Sequence, residues 1–565
     1  MDTQRLILAI ALSFISLLLW DAWQLDHGAG QPIAQSEPLG LQQAMNQPTT
    51  QGVPQALQQS SGGLPNVAVP GGGQATQAIA APMVETRIGE SIHVETDLLQ
   101  VTLNTEGGDL RQADLLKHGK DTDNKDLPFR LMSDEGSQYF ITQSGIKGAQ
   151  GTDQHRYPSH QALYSVSQNR YILGAGENEL RIPMVWSDPE SNLKITKTYI
   201  FKRDSYEIGM EYRVENGSDR EWKGGAYAQL LRSGEAPEAE NAFIYTFTGG
   251  VTYTQEELYQ KIDFDEMASS PLTRSTETGW VAMIQHYFLG AIVPNQGQKP
   301  TLYTYQPSQG LYAIGAILPA VTVPAGGSED LSIKLYVGPK DQDRMESLAP
   351  GLELTVDYGW LTFLAQPIFW VLNQIQDVVG NWGFSIILLT MLIKLIFFKL
   401  SETSYRSMAN MRKLTPRLTA LKERYGDDRT KMNEAMMRIY REEKVNPMGG
   451  CLPILVQIPV FIALYWVLLE SVEIRQAPFI LWIQDLSAMD PYYILPLLMG
   501  GSMLIQQRLN PAPLDPIQQK VMMILPVVFT VFFAFFPAGL VLYWVVNNVI
   551  SISQQYYITK KIEAL

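Results

Sequence analysis

Lys394 is the residue whose setting poses a chemical question. It lies in Leu388–Phe398, an almost wholly apolar run (LLTMLIKLIFF), six residues before Leu400, or ~9 Å from the nearer end of that run at the helical rise. An ammonium left in hydrocarbon costs ~2.5 kcal/mol or more, so it must pair, meet water or stretch to a headgroup layer. Pairing is not on offer, because the other apolar runs hold no Asp or Glu away from their ends. Glu470, Glu473, Asp485 and Asp490 flank them on one side and Asp515 on the other. Polar residues able to line a wet cavity are Thr390 one turn before Lys394, Gln457 in a second run, and Asn547, Asn548, Ser551 and Ser553 in the last. Two readings stay open: a water-filled cavity holding one unpaired positive charge, or a lysine snorkelling to headgroups as Lys399 does.

Other chemistries find less support. The single cysteine, Cys451, cannot close an internal disulfide, and His27, His93, His118, His155, His160 and His286 have no metal-site spacing. No GxxxxGK[ST] segment occurs, which disfavours nucleotide hydrolysis by a P-loop. No cofactor and no metal is expected, and no acid pair or nucleophile arrangement stands out. Residues 24–360 carry 24 Lys and Arg against 41 Asp and Glu, a net of −17, and such a surface does not bind nucleic acid, which needs clustered cations.

The elements that must position Lys394 follow from where the apolar residues fall. Residues 1–25 read as an N-terminal transmembrane anchor rather than a cleaved signal, since Asp21-Ala22-Trp23 puts a bulky residue at the would-be cleavage site. Residues 26–84, rich in Gln, Pro and Gly, carry almost no charge and cannot bury enough apolar area to offset ordering entropy, so a disordered linker is expected. Over 85–350 the pattern has period two, as in Leu99-Val101-Leu103, Tyr206-Ile208-Met210-Tyr212-Val214 and Leu331-Ile333-Leu335-Val337, with Glu106-Gly107-Gly108-Asp109 and Asn216-Gly217 as turns. That predicts a β domain, a sandwich.

Residues 356–379 place Trp360, Phe363, Leu364, Pro367, Ile368, Val371, Leu372 and Ile375 on one helical stripe opposite several amides, which predicts an amphipathic helix lying along the membrane interface. Five spans follow within 383–556, at about 383–400, 449–469, 491–507, 518–536 and 538–556, the last two joined so tightly at Phe536-Pro537-Ala538-Gly539 that antiparallel neighbours are expected. The loop 401–447 has 11 Lys and Arg against 7 Asp and Glu, so the positive-inside rule puts it, both termini and the short tail 557–565 in the cytoplasm, with the acidic domain outside. Met408, Met411, Leu414, Leu418, Leu421 and Tyr425, facing Met432, Met436, Ile439 and Tyr440, predict a helical hairpin.

Four stretches carry a resemblance. Asn446-Pro447-Met448-Gly449-Gly450-Cys451-Leu452-Pro453 through Phe461, Arg475-Gln476-Ala477-Pro478-Phe479, Asp490 to Pro496 and Phe536 to Leu540 are similar to the hallmarks of the YidC membrane-protein insertase family, over the whole region from about 356 to 556. Anchor, linker and acidic β domain resemble its long Gram-negative form. The resemblance implies a helical five-span membrane core plus an anchor helix, with a large β-supersandwich outside the inner membrane. The core makes a hydrophilic groove open to cytoplasm and lipid. A positive groove residue there draws in the hydrophilic segment of a nascent protein, and Lys394 matches it, where most relatives have arginine; lysine keeps the charge but loses the planar fork. Gln457 lies among the groove's polar lining, and Thr390, Ile458, Phe461, Phe532, Tyr543 and Trp544 match groove or client-contacting positions.

Implied partners are nascent membrane proteins, the lipid bilayer, and the Sec translocon with its accessory subunits. A ribosome contact would have to use the hairpin or the 508–517 loop, because the tail is too short to act as a long basic extension. Such a protein is no enzyme. The alternatives are a transporter using Lys394 as a substrate site, against which no internal repeat or mid-bilayer acid is evident, and an anchored glycan enzyme, which would need an acid pair in the β domain.

Overall fold

The computed structural model describes residues 89–149, 157–235, 246–426, 428–443, 452–510 and 516–563. The anchor and linker expected over 1–84 lie outside them, as do Asn446–Cys451 of the hallmark stretch.

Between Ser91 and Pro339 the described residues form two sheets, of 11 and 8 strands. The smaller is antiparallel throughout, its order running Leu258–Ile262, Gly249–Thr254, Gly279–Ile284, Phe288–Pro294, Ser328–Pro339, Glu207–Asn216, Leu193–Lys202, Glu179–Asp188. In the larger, Trp222–Ser233 is central, between Phe140–Gly148 and Leu311–Ile317, and one pairing is parallel, Ser91–Glu95 with Arg170–Ile172. The period-two residues explain the packing: Leu99, Val101 and Leu103 from one sheet and Ile208, Met210, Tyr212, Val214, Ile333 and Leu335 from the other all turn inward into one shared core. Alternate positions face water and carry cross-strand ion pairs such as Lys194–Glu215 and Arg181–Glu211.

Among the described residues eight longer helices follow: α1 (Thr362–Val379), α2 (Trp382–Ile396), α3 (Phe398–Tyr425), α4 (Arg429–Glu442), α5 (Leu452–Glu470), α6 (Ile494–Leu509), α7 (Pro516–Phe533) and α8 (Ala538–Glu563). Gly380, at φ 69°, ends α1, and the Asn381 side chain accepts from the Phe384 amide to start α2. α8 is the hub, packing on α6, α2 and α3, while α1 packs on α5 and α2.

Several expectations are altered. Among the described residues no single helix is long and apolar enough to cross a membrane; α2 and α3 together are, but they are bent by 68°. The expected span 383–400 therefore breaks at Phe397, where the apolar run gives out and α3 begins to present Lys399, Glu402 and Arg406 to water with Ser401 and Ser404 buried. The stripe on α1 is split: Ile368 and Leu372 are buried together with Ala365 and Phe369, whereas Trp360 and Phe363 are exposed, as is Trp370.

α7 and α8 meet only beside their turn, where Phe533 and Trp544 lie 5.0 Å apart. Beyond it they diverge, each packing on α6. The four-residue connection Ala534–Pro537 fixes adjacency at one end only, and the rest of each helix is placed by its packing on α6. In the hairpin, Leu414 and Leu418 pack with Met411, Met436, Ile439 and Tyr440.

Candidate functional site

The divergence of α7 from α8 leaves a cavity of about 350 Å³ within the helical part, lined by residues of α2, α3, α5, α6, α7 and α8. Lys394 enters it from α2. Its Nζ donates to Ser551 Oγ at 2.8 Å and to Gln457 Oε1 at 3.4 Å, and among the described residues no carboxylate pairs with it. Each acceptor is itself held. Ser551 Oγ donates to the Asn547 carbonyl at 2.7 Å, and Gln457 Nε2 donates to Asn547 Oδ1 at 2.6 Å. One cation is thus set among neutral acceptors carried by two other helices, α5 and α8.

Six residues named from the sequence meet around this space: Lys394, Gln457, Ile458, Phe461, Tyr543 and Trp544. The aromatic side of the cavity is tightly built, with Phe461 edge-on to Trp544 at 4.7 Å and stacked near Tyr543 at 5.9 Å. Thr390 and Phe532 are not among the lining residues. The Thr390 hydroxyl turns back to the Ile386 carbonyl at 2.6 Å within its own helix. Phe532 is 47% exposed and packs on Phe533 and Phe536 near the α7–α8 turn. Of the other polar candidates, Asn547, Asn548 and Ser551 line the cavity, but Ser553 faces out and bonds the Val549 carbonyl.

Sequence reasoning missed Ser401, Ser404 and Tyr405 of α3, Gln506 and Gln507 of α6, Asn510 beyond its end, and Gln555 of α8. A signal for Gln555 existed: Asn547, Ser551 and Gln555 recur every four residues on one face. The α3 residues had none, because only the bend at Phe397 turns the hairpin root across the cavity mouth.

Two further polar centres lie outside the cavity. In the sandwich, Lys197 occupies an inward position of Leu193–Lys202, and its Nζ donates to the carbonyls of Gly107 and Gly108 and to Ser144 Oγ at 2.7–2.9 Å. Gly108, at φ 58°, sits so close that a Cβ there would meet the Lys197 side chain at 3.0 Å. Burial pushes nearby Asp109 up to about 7 and Lys197 down to about 7. Both are fully buried, so no substrate reaches them, and they serve the packing of the two sheets.

The second centre joins the sandwich to the helices. Arg475 donates to the carbonyls of Gly119 and Lys120 at 2.9 Å and lies over Phe129 and Phe288. Asp485 accepts from Thr122, Lys125 donates to the Gln484 carbonyl, and His286 meets the Leu469 carbonyl at 3.0 Å. Near this seam Glu473 is half-buried, and desolvation pushes its carboxyl up to about 8.

Comparison with known proteins accounts for both parts of the chain. A family model described as the YidC periplasmic domain matches residues 91–371, and one described as the 60Kd inner membrane protein matches 374–564. Proteins named membrane protein insertase YidC from Nitrosococcus oceani, Alkalilimnicola ehrlichii and Pseudomonas putida (strain W619) are 50%, 49% and 45% identical over 100% of this chain and 99%, 97% and 99% of their own. A solved structure described as an active YidC insertase with its first transmembrane domain resolved covers 84% of this chain and 93% of its own at 18% identity, with a TM-score of 0.38, a superposition too loose to carry weight. With two family models tiling residues 91–564 and full-length relatives near half identity, the chain belongs to the YidC family of membrane protein insertases, inner-membrane proteins with a periplasmic domain.

Proposed function

We propose that this chain inserts nascent inner-membrane proteins by receiving their hydrophilic segments in the cavity between α7 and α8, where Lys394 supplies the attraction. The observation that carries the reading is the lining itself: one cation, seven side-chain amides and several hydroxyls, with no carboxylate among them. A polar segment entering such a space keeps hydrogen-bond partners it would lose in lipid. The charge favours acidic segments over basic ones. No bond is made or broken; partitioning of the client's apolar span supplies the driving force.

The membrane arrangement belongs to the same proposal. The domain boundaries are an anchor at 1–25, a linker at 26–84, a periplasmic β domain at 85–350, an interfacial helix at 356–379 and a five-span core at 383–556 whose hairpin 401–447 is cytoplasmic, ahead of the tail 557–565. The Sec translocon and the ribosome are proposed partners, the latter through the hairpin 401–447 or the 508–517 loop.

Site-specific photocrosslinking to a ribosome-bound nascent membrane protein tests the cavity. Probes at Ile458, Phe461, Tyr543 and Trp544 should capture the client, while a probe at Thr390, whose side chain is turned into its own helix, should capture it poorly. Crosslinks to lipid alone from the four lining positions would overturn the reading.

A further inference from the structure

We infer that Ser551 and the Gln457–Asn547 amide pair are positioning residues for Lys394: they hold its ammonium inside the cavity through neutral acceptors, so that its charge is fixed in place yet left uncompensated. The inference rests on the function proposed above and adds to it the residues that make a lysine sufficient there.

The geometry is directional. A serine hydroxyl has one proton and two lone pairs. The proton of Ser551 is committed to the Asn547 carbonyl at 2.7 Å, so at 2.8 Å from Lys394 Nζ the oxygen presents a lone pair. Tyr405, from the hairpin root, lines the same cavity. Gln457 is oriented the same way, because its amide nitrogen is used on Asn547 Oδ1 at 2.6 Å and its oxygen is left facing the ammonium at 3.4 Å. Asn547 thus sets both acceptors at once, its backbone directing one and its side chain the other.

The alternative for a flexible four-carbon stem is to snorkel toward the helix end. Lys394 lies two residues from the end of α2, and Phe397 there is followed by the 68° bend. Instead of following that end, the ammonium turns sideways to α5 and α8 and is only 5% exposed. Lysine lacks the rigid guanidinium fork that would fix a charge by its own shape, so the surrounding helices must supply the direction. Had either acceptor been a carboxylate, the pair would have been neutral toward a client. Of the three ammonium donors, two are used among the described residues, which leaves one for the incoming segment.

The test uses the full-length protein in inner-membrane vesicles and two clients, one with an acidic translocated segment and one with a neutral segment. Ser551→Ala should lower insertion of the acidic client roughly two- to tenfold, the size of one hydrogen bond partly replaced by water, and lower the neutral client less. Ser551→Thr should restore it. Ser551→Asp should depress the acidic client at least as far as Lys394→Ala does. Because Ser551 acts through Lys394, the double variant Lys394→Ala/Ser551→Ala should be no worse than Lys394→Ala alone. Additive losses, or equal losses for both clients, overturn the positioning role. A Lys394→Ala variant that does not discriminate between the clients overturns the proposed function instead, so the two failures are distinguishable.

Discussion

Lys394 carries a charge whose worth depends on its surroundings. In a wet cavity the effective dielectric is high, so one client carboxylate at ~4 Å contributes about 1–4 kcal/mol. Lys394→Arg should therefore preserve insertion, Lys394→Ala should weaken it for clients with acidic translocated segments, and Lys394→Glu should weaken it further. Insertion assays across clients of graded charge check this, and an equal response to Ala and Glu in every client would remove the charge from the mechanism. A different titration is built into the seam between sandwich and helices. Burial, with Lys340 nearby, pushes His286 from 6.5 down to about 3. Below pH 6.5 the unfolded chain takes up a proton that the folded chain refuses, so stability falls with acidity across that window. Relative to His286→Gln, the native protein should lose about 1.4 kcal/mol per pH unit there. Thermal melts of both proteins in detergent between pH 7 and 4 measure the difference.

At the scale of elements, the loop between α5 and α6 owes its shape to buried aspartates. Asp490 accepts from the Trp482 indole at 3.0 Å, from the Tyr492 amide at 3.0 Å and from the Leu495 amide at 2.7 Å, where it caps the start of α6 beside Tyr493 at φ 56°. Asp490→Ala orphans three donors together, and a loss of about 3 kcal/mol or more is expected, visible as a lower melting temperature and faster hydrogen exchange in the loop. The hairpin is not uniform along its length. Its root is tied down: Ser401, Ser404 and Ala409 are buried, and Lys413 donates to the Ile562 carbonyl near the end of α8 at 2.9 Å. Its tip rests on one thin seam around Leu414 and Leu418. Hydrogen exchange should be slow over 398–413 and fast over 420–443. The whole hairpin exchanging at one rate would contradict this division.

Over the whole molecule, the sandwich and helices meet through hydrogen bonds and rings rather than through the cavity. Removing residues 85–340 takes away the carbonyls that hold Arg475, the hydroxyl that holds Asp485 and the ring faces of Phe129 and Phe288, yet touches no lining residue. Such a deletion should keep client insertion while lowering thermal stability, as insertion assays and melts in parallel would record. Complete loss of insertion by a variant that still folds would assign the sandwich a direct part in the reaction.

The order of parts was legible in the sequence because it rests on one-dimensional periodicity. Alternation in Tyr206 to Val214 and Leu331 to Val337 tells which side chains turn inward, and the apolar runs tell where helices lie. Lys394 stood out for the same local reason, a charge in an apolar run with no acid to meet it. The neighbours it would meet were not legible, because Gln457 and Ser551 are 63 and 157 residues away in sequence and no local rule brings α5 and α8 to the same point. Thr390 and Phe532 share a helix and a face with the lining residues Lys394 and Leu525 yet miss the cavity, since they sit one and two turns farther along the axis. The bend at Phe397, the parting of α7 from α8 and the closing of the mouth by Ser401, Ser404 and Tyr405 come only from how the helices pack. Periodicity decides which face of an element is buried. Only tertiary packing decides which faces are left apart to make a site.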